Sequence, residues 1–157
     1  MGNVPANAYK GKLQYYWEQA RDTAADIQCA LMLAAGNPSD GAVQDFTTLT
    51  ALWAATADEA TFTNYARKTV TNPTVSIDNT LDQIVFSADS PIAWTNAGGA
   101  TNNTLARAVF FFDPAPGSST DTTRLPLFYN DISATTDGTT LQLTINPGGL
   151  FVVKNTV

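Results

Sequence analysis

Leu105-Ala106-Arg107-Ala108-Val109-Phe110-Phe111-Phe112-Asp113 is the stretch whose reading decides the fold. In its second half apolar residues fill both parities, with Val109 and Phe111 on one face of an extended chain and Ala108, Phe110 and Phe112 on the other. A strand with one wet face alternates apolar and polar residues, so a doubly apolar run predicts cover on both sides. Each buried phenylalanine contributes roughly 2–3 kcal/mol, and three left in water would nucleate aggregation. The stretch is therefore expected at the centre of a sheet, or under a second layer or a neighbouring subunit.

Downstream, Pro114 to Thr123 is a loop with Pro116-Gly117 inside it, and Leu125 to Ile132 is a strand with Pro126 near its start. Asp137-Gly138 is the strongest hairpin signal in the chain, and it is expected to join that strand to the alternation Leu141, Leu143, Ile145. Asn146-Pro147-Gly148-Gly149 turns again, and Leu150 to Val153 closes the sheet. Upstream, Phe62 to Thr69 reads as a strand with one mixed face, followed by Thr74 to Ile77, an Asp78-Asn79-Thr80 turn and a returning strand over Leu81 to Ala88. Ile92-Ala93-Trp94 and the polar Gly98-Gly99 loop lead into the central run.

The N-terminal third is less uniform. Residues 1–11 read as an extended polar arm, and Leu13, Tyr16, Trp17 and Ala20 follow helical spacing to about Thr23. Ala24 to Ala35 has helix-favouring composition, yet Ile27, Cys29, Leu31 and Leu33 repeat with a period of two, which predicts a strand. Gly36 to Gly41 is its terminating loop. Asp45 is then expected to cap a short helix carrying Phe46, Leu49 and Leu52, with Trp53 plugging the edge of the core. These pieces predict a mainly β fold: an antiparallel β-sandwich or squat barrel of about eight or nine strands, with one or two short N-terminal helices. The expected organisation is an arm and helix over 1–23 followed by one β domain over 24–157.

Composition narrows the chemistry. Charged residues are 14% of the 157, and eight Lys+Arg face fourteen Asp+Glu for a net charge of −6. Such a surface repels phosphate, so nucleic acid is not an expected partner. There is no histidine, which removes the usual general base and the commonest metal ligand together. Cys29 is single and flanked by apolar residues, as a buried thiol would be. No apolar run has the ~18 residues of a membrane span, and the first residues, Met-Gly-Asn-Val-Pro-Ala, lack both a signal-peptide core and the serine or threonine of a myristoylation site. Threonine fills about one position in seven, which suits sheets and shell-like assemblies.

Asp78 and Asp82 lack the order and distal glutamate of a calcium loop, and read as a solvated turn. Asp58-Glu59 and Asp89 have no fixed separation and do not make a glycosidase pair. Arg67-Lys68 is the one adjacent basic pair. It reads either as a solvated strand edge or as a salt contact to an acidic partner subunit. Tyr65 and Trp94 read as core aromatics; as platforms on the surface they would instead serve a glycan-binding module together with loops 96–104 and 114–123, which hold no aromatic residue. No catalytic set, metal site or cofactor site is expected.

Several pieces in order carry a resemblance. They are Ala30-Leu31-Met32-Leu33, the segment Asp58 to Lys68, and Ala93-Trp94-Thr95 with the Gly-Gly loop after it; then come the apolar run ending at Asp113, Leu125-Pro126-Leu127, Asp137-Gly138 and the ending Asn146 to Phe151. Across roughly Asp26 to Val153 the chain resembles small structural proteins of tailed-bacteriophage virions, of the capsid-decoration or cement type. The resemblance implies a β-rich protein, made in the host cytoplasm and bound to the capsid exterior. There it would bridge neighbouring subunits of the major capsid protein, often as a homotrimer, with no cofactor and no contact to membrane or nucleic acid. Tyr15, Tyr16 and Trp17 are then candidate capsid contacts, so that residues 1–23 could be deleted without unfolding the rest. Phe110, Phe111 and Phe112 are candidate trimer contacts, and Arg67 and Lys68 candidate salt contacts. A tail-fibre or spike binding module and a tail or neck component are the alternatives.

Overall fold

The computed structural model describes residues 3–55, 58–146 and 148–154. In chain order the strands and helices are β1 (Asn3–Pro5), a 3-10 helix (Asn7–Lys12), α1 (Leu13–Asp22), β2 (Asp26–Leu33), α2 (Asp40–Val43) and α3 (Leu49–Ala54). There follow β3 (Lys68–Thr69), β4 (Thr74–Asp78), β5 (Gln83–Ser87), β6 (Ile92–Trp94), β7 (Thr104–Asp113), β8 (Leu125–Thr135), β9 (Leu141–Leu143) and β10 (Phe151–Lys154). The fold is mainly β, and every strand pair is antiparallel.

The apolar run is β7, the middle strand of a five-stranded sheet ordered β1-β8-β7-β2-β3. Its two parities feed two separate cores. Ala108, Phe110 and Phe112 join Ile27, Cys29, Leu31 and Phe128 on the first face. Val109 and Phe111 join Ala30, Met32 and Tyr129 on the second. A second β layer covers the first face: a three-stranded sheet ordered β10-β5-β4 supplies Phe86 and Phe151, and the β6–β9 ribbon supplies Trp94. Phe128 stacks between Phe110 and Phe151, with ring centroids 4.7 and 4.8 Å away. Helices cover the second face, where Val43 of α2 and Leu49 and Leu52 of α3 are fully buried. A strand sandwiched this way has no wet side, which is why its sequence does not alternate.

The N-terminal segment is part of this body rather than an arm. β1 pairs with β8 through Asn3↔Asn130, Val4↔Tyr129 and Pro5↔Phe128. The 3-10 helix is tied down beyond it, with Tyr9 Oη donating to Thr47 O at 2.6 Å and Asn7 Nδ2 to Asp45 Oδ1 at 2.9 Å. From α1, Leu13 and Trp17 enter the first core. Residues 1 and 2 of the expected arm, and Pro147 of the last turn, lie outside the described residues.

Three local expectations are corrected. Phe62 to Thr69 is not a strand except at Lys68–Thr69. Phe62 and Tyr65 differ in parity, yet both turn inward with rings 5.1 Å apart, because Tyr65 N donates to Phe62 O and Asn64 takes φ +69°. Asp45 caps no helix; Ser39 accepts from Ala42 N ahead of α2, and Thr48 accepts from Ala51 N ahead of α3. Finally, Asp137-Gly138 makes a turn but not a hairpin. Gly138 N donates to Ala97 O and Ala97 N to Thr139 O, both at 2.8 Å, so the chain is drawn across to β6. β9 pairs there, through Ile92↔Leu143 and Trp94↔Leu141, and not with β8. Backbones are close at this crossing: a Cβ on Gly138, at φ +96°, would lie 3.5 Å from Gly99 Cα.

Candidate functional site

The expected contact residues separate once placed on the fold. Phe110 and Phe111 are 0% exposed and Phe112 7%, and both edges of their strand are paired within the chain. They are core, and unavailable to a neighbouring subunit. Trp17 is equally enclosed, lying between Phe86 and Phe128. Tyr16 packs half-buried on Phe112 with ring centroids 4.9 Å apart. Of Tyr15, Tyr16 and Trp17, Tyr15 is the one that lies mainly in solvent, at 55% exposed. Helical geometry forces the split, since consecutive residues face about 100° apart and cannot share one docking face.

Arg67 has its acidic partners inside its own chain. It donates from Nε and Nη2 to the two oxygens of Glu59 at 2.7 and 2.6 Å, and from Nη1 and Nη2 to those of Asp121 at 2.6 and 2.8 Å. Arg124 extends the network, donating to Asp113 Oδ2 at 2.9 Å and to Asp121 Oδ1 at 3.0 Å. The guanidinium of Arg67 lies 5.3 Å from the Phe111 ring centroid, so the network roofs the second face beside α3. Burial works to lower the Arg67 pKa, but the hydrogen bonds to Asp121 and Glu59 outweigh it and leave it raised. Those to Arg67, above all, hold the Asp121 carboxyl below its ordinary range. With each carboxylate held by a fork, the arrangement clamps the loop before β3 to the β7–β8 connection and presents no free reacting group. Lys68 sits on β3, the outer strand of the sheet, as the solvated-edge reading expects.

Tyr65 and Trp94 face inward. Trp94 is fully buried and donates Nε1 to Ala66 O at 2.8 Å. Tyr65 Oη accepts from Leu31 N at 3.1 Å and donates to Glu59 Oε1 at 2.7 Å. Burial, then the neighbouring Glu59, pushes the Tyr65 phenol up. Cys29 is fully buried, and burial pushes its thiol up as well. The Asp78 carboxylate accepts from Thr80 N and Leu81 N, closing the β4–β5 turn. Among the described residues no three His, Cys, Asp or Glu side chains are grouped to hold a metal ion. No helix of the described residues is long and apolar enough to cross a membrane.

One surface stands out that the sequence reading did not single out. In the three-stranded sheet, Val75, Phe86 and Phe151 face the first core, and the next residues on that face are Ile77, Ile84 and Val153. These three align across the sheet, Ile77↔Ile84↔Val153, where the core ends. Ile77 is 64% exposed and Val153 42%, and Leu81 in the adjoining turn is 60% exposed. The alternation Val75, Ile77 and Ile84, Phe86 carried the signal, but alternation does not say how far a covering layer reaches. Compared with known protein families, curated proteins and solved structures, the chain matches none of them.

Proposed function

We propose that this protein is a non-catalytic structural component of a tailed-bacteriophage particle. It would decorate the outer face of the capsid, bridge neighbouring subunits of the major capsid protein and associate with further copies of itself as a homotrimer. The sequence resemblance supports the virion setting. The observation that carries the contact role is the aliphatic row Ile77–Ile84–Val153 with Leu81, an apolar sheet face continuing past its own cover. Ionisable groups near the middle of the sheet are engaged in internal pairs, which fits a rigid connector better than a reacting surface.

The tail-fibre reading loses its main support, since the two aromatics that would stack a sugar point into the fold. Immunogold labelling of intact virions with antibody to this chain is the test. Gold over the whole head is the expected result. Gold confined to the tail tip, or particles without gold, would overturn the reading.

A further inference from the structure

The second β layer is one long pairing with unlike ends. β5 and β6 follow each other along one run of chain, and β9 and β10 along the run beside it. The register passes from Ile84↔Val153 through Phe86↔Phe151 to Ile92↔Leu143 and Trp94↔Leu141. At the first end the layer outruns the core. The β4–β5 hairpin carries Ile77, 64% exposed, and Leu81 in its turn, 60% exposed, and Val153 stands in the same row at 42%. At the other end the layer stands off the five-stranded sheet. A cleft of about 560 Å³ opens there, floored by Leu31 and Trp94 and walled by Leu141 and Leu143 of β9 and by Ala134 of β8.

One molecule thus carries an aliphatic projection and an apolar recess at opposite ends of the same layer. Both are costly in water, and each relieves the other by leaving it. The two patches differ, so the contact they make between copies is head-to-tail and not two-fold. Contacts of that kind either run on as a fibre or close as a ring. Charge permits the meeting although each chain carries −6. Gln142, Thr144 and Asn146 of the cleft lining are uncharged, and Asp131 is already paired with Arg107 at 3.1 Å. A contact of three side chains is well below the ~800 Å² per partner of a stable pair. A closed ring overcomes this, because every copy then uses both ends at once.

We propose that copies of this chain associate head-to-tail, the β4–β5 hairpin of each seating Leu81 and Ile77 in the β8–β9 cleft of the next. The ring closes at the three copies of the reading above, on whose self-association this rests, and it needs nothing from the capsid. A capsid would meet such a ring as one multivalent body, so losing the row loses attachment as well.

Sedimentation velocity of the full chain up to sub-millimolar concentration should show the mass of three chains. Leu81→Asp, a change in an exposed turn, should weaken the association about tenfold or more, with circular dichroism unchanged. Direction is read by cross-linking. Leu81→Cys and Ala134→Cys are prepared separately and treated with a short bismaleimide, Cys29 being buried. Each alone should stay uncross-linked. Mixed, they should give a covalent pair, since a hairpin thiol of one copy then meets a cleft thiol of the next. A monomer at every concentration, an open series of sizes, association untouched by Leu81→Asp, or cross-linking of Leu81→Cys alone would overturn the proposal. A trimer in solution together with virions bare of gold would uphold the ring and remove the capsid.

Discussion

The five-stranded and three-stranded sheets treat the same kind of residue in opposite ways. In the first, an apolar side chain of β7 meets cover at either parity: Phe86, Phe151 and Trp94 lie over one face, and Leu49, Leu52 and the Arg67 network over the other. In the second, one face is covered at Val75, Phe86 and Phe151 and bare one step further, at Ile77 and Val153. Aromatic density therefore marks the interior of this protein. Its candidate contact surface is modest and aliphatic, and lies where a covered face outruns its cover. Three consecutive phenylalanines suggest stickiness in a sequence, but here they are the residues a partner cannot reach.

The contrast can be broken most forcefully from the N-terminus. Deleting residues 1–23 removes β1, Leu13 and Trp17, and the expected outcome is loss of the cooperative fold by circular dichroism. A folded truncated chain would restore the arm reading. Next in size is Phe110→Ala, expected to cost about 3–5 kcal/mol in urea unfolding, as for large-to-small changes in a packed core. Arg67→Met should cost about 2–3 kcal/mol, since it leaves Glu59 without a counter-charge and Asp121 with Arg124 alone, at partly screened positions.

Acid sharpens the same point. Because the folded Asp121 carboxyl titrates below its unfolded value, its contribution is complete above about pH 4 and is lost as pH falls through the folded value. Unfolding midpoints measured from pH 6 down to 2 should fall more steeply for the native chain than for Asp121→Asn. The smallest effect on stability belongs to the exposed row. Ile77→Thr combined with Val153→Thr should change unfolding by less than about 0.5 kcal/mol, while abolishing attachment to capsids that lack the protein.

Legibility followed the range of the interactions. The doubly apolar β7, the period of two in β2 and the helical spacing of Leu13, Tyr16 and Trp17 are local patterns, and each marks its element correctly. Phe62 to Thr69 misleads because alternation of types is not alternation of direction; the turn at Asn64 places Phe62 and Tyr65 on the same side. Asp137-Gly138 is a true turn, but its exit is decided by Ala97, forty residues away. The Arg67 clamp was illegible for the same reason. Asp121 lies 54 positions on, in a loop whose sequence shows only polarity. Asn130 sits inside an apolar strand, and only the position of Leu150 across the fold explains a polar residue there, since its Nδ2 donates to Leu150 O.

Cys29 has a practical corollary. The chain's only thiol is sealed at the centre of the first core, and burial keeps it protonated. Toward maleimides and other thiol reagents the folded protein thus behaves as if it had no cysteine at all. A cysteine introduced at the exposed Ile77 would be its single reactive handle. Spin labels, dyes or cross-linkers could be carried there without first rebuilding the interior.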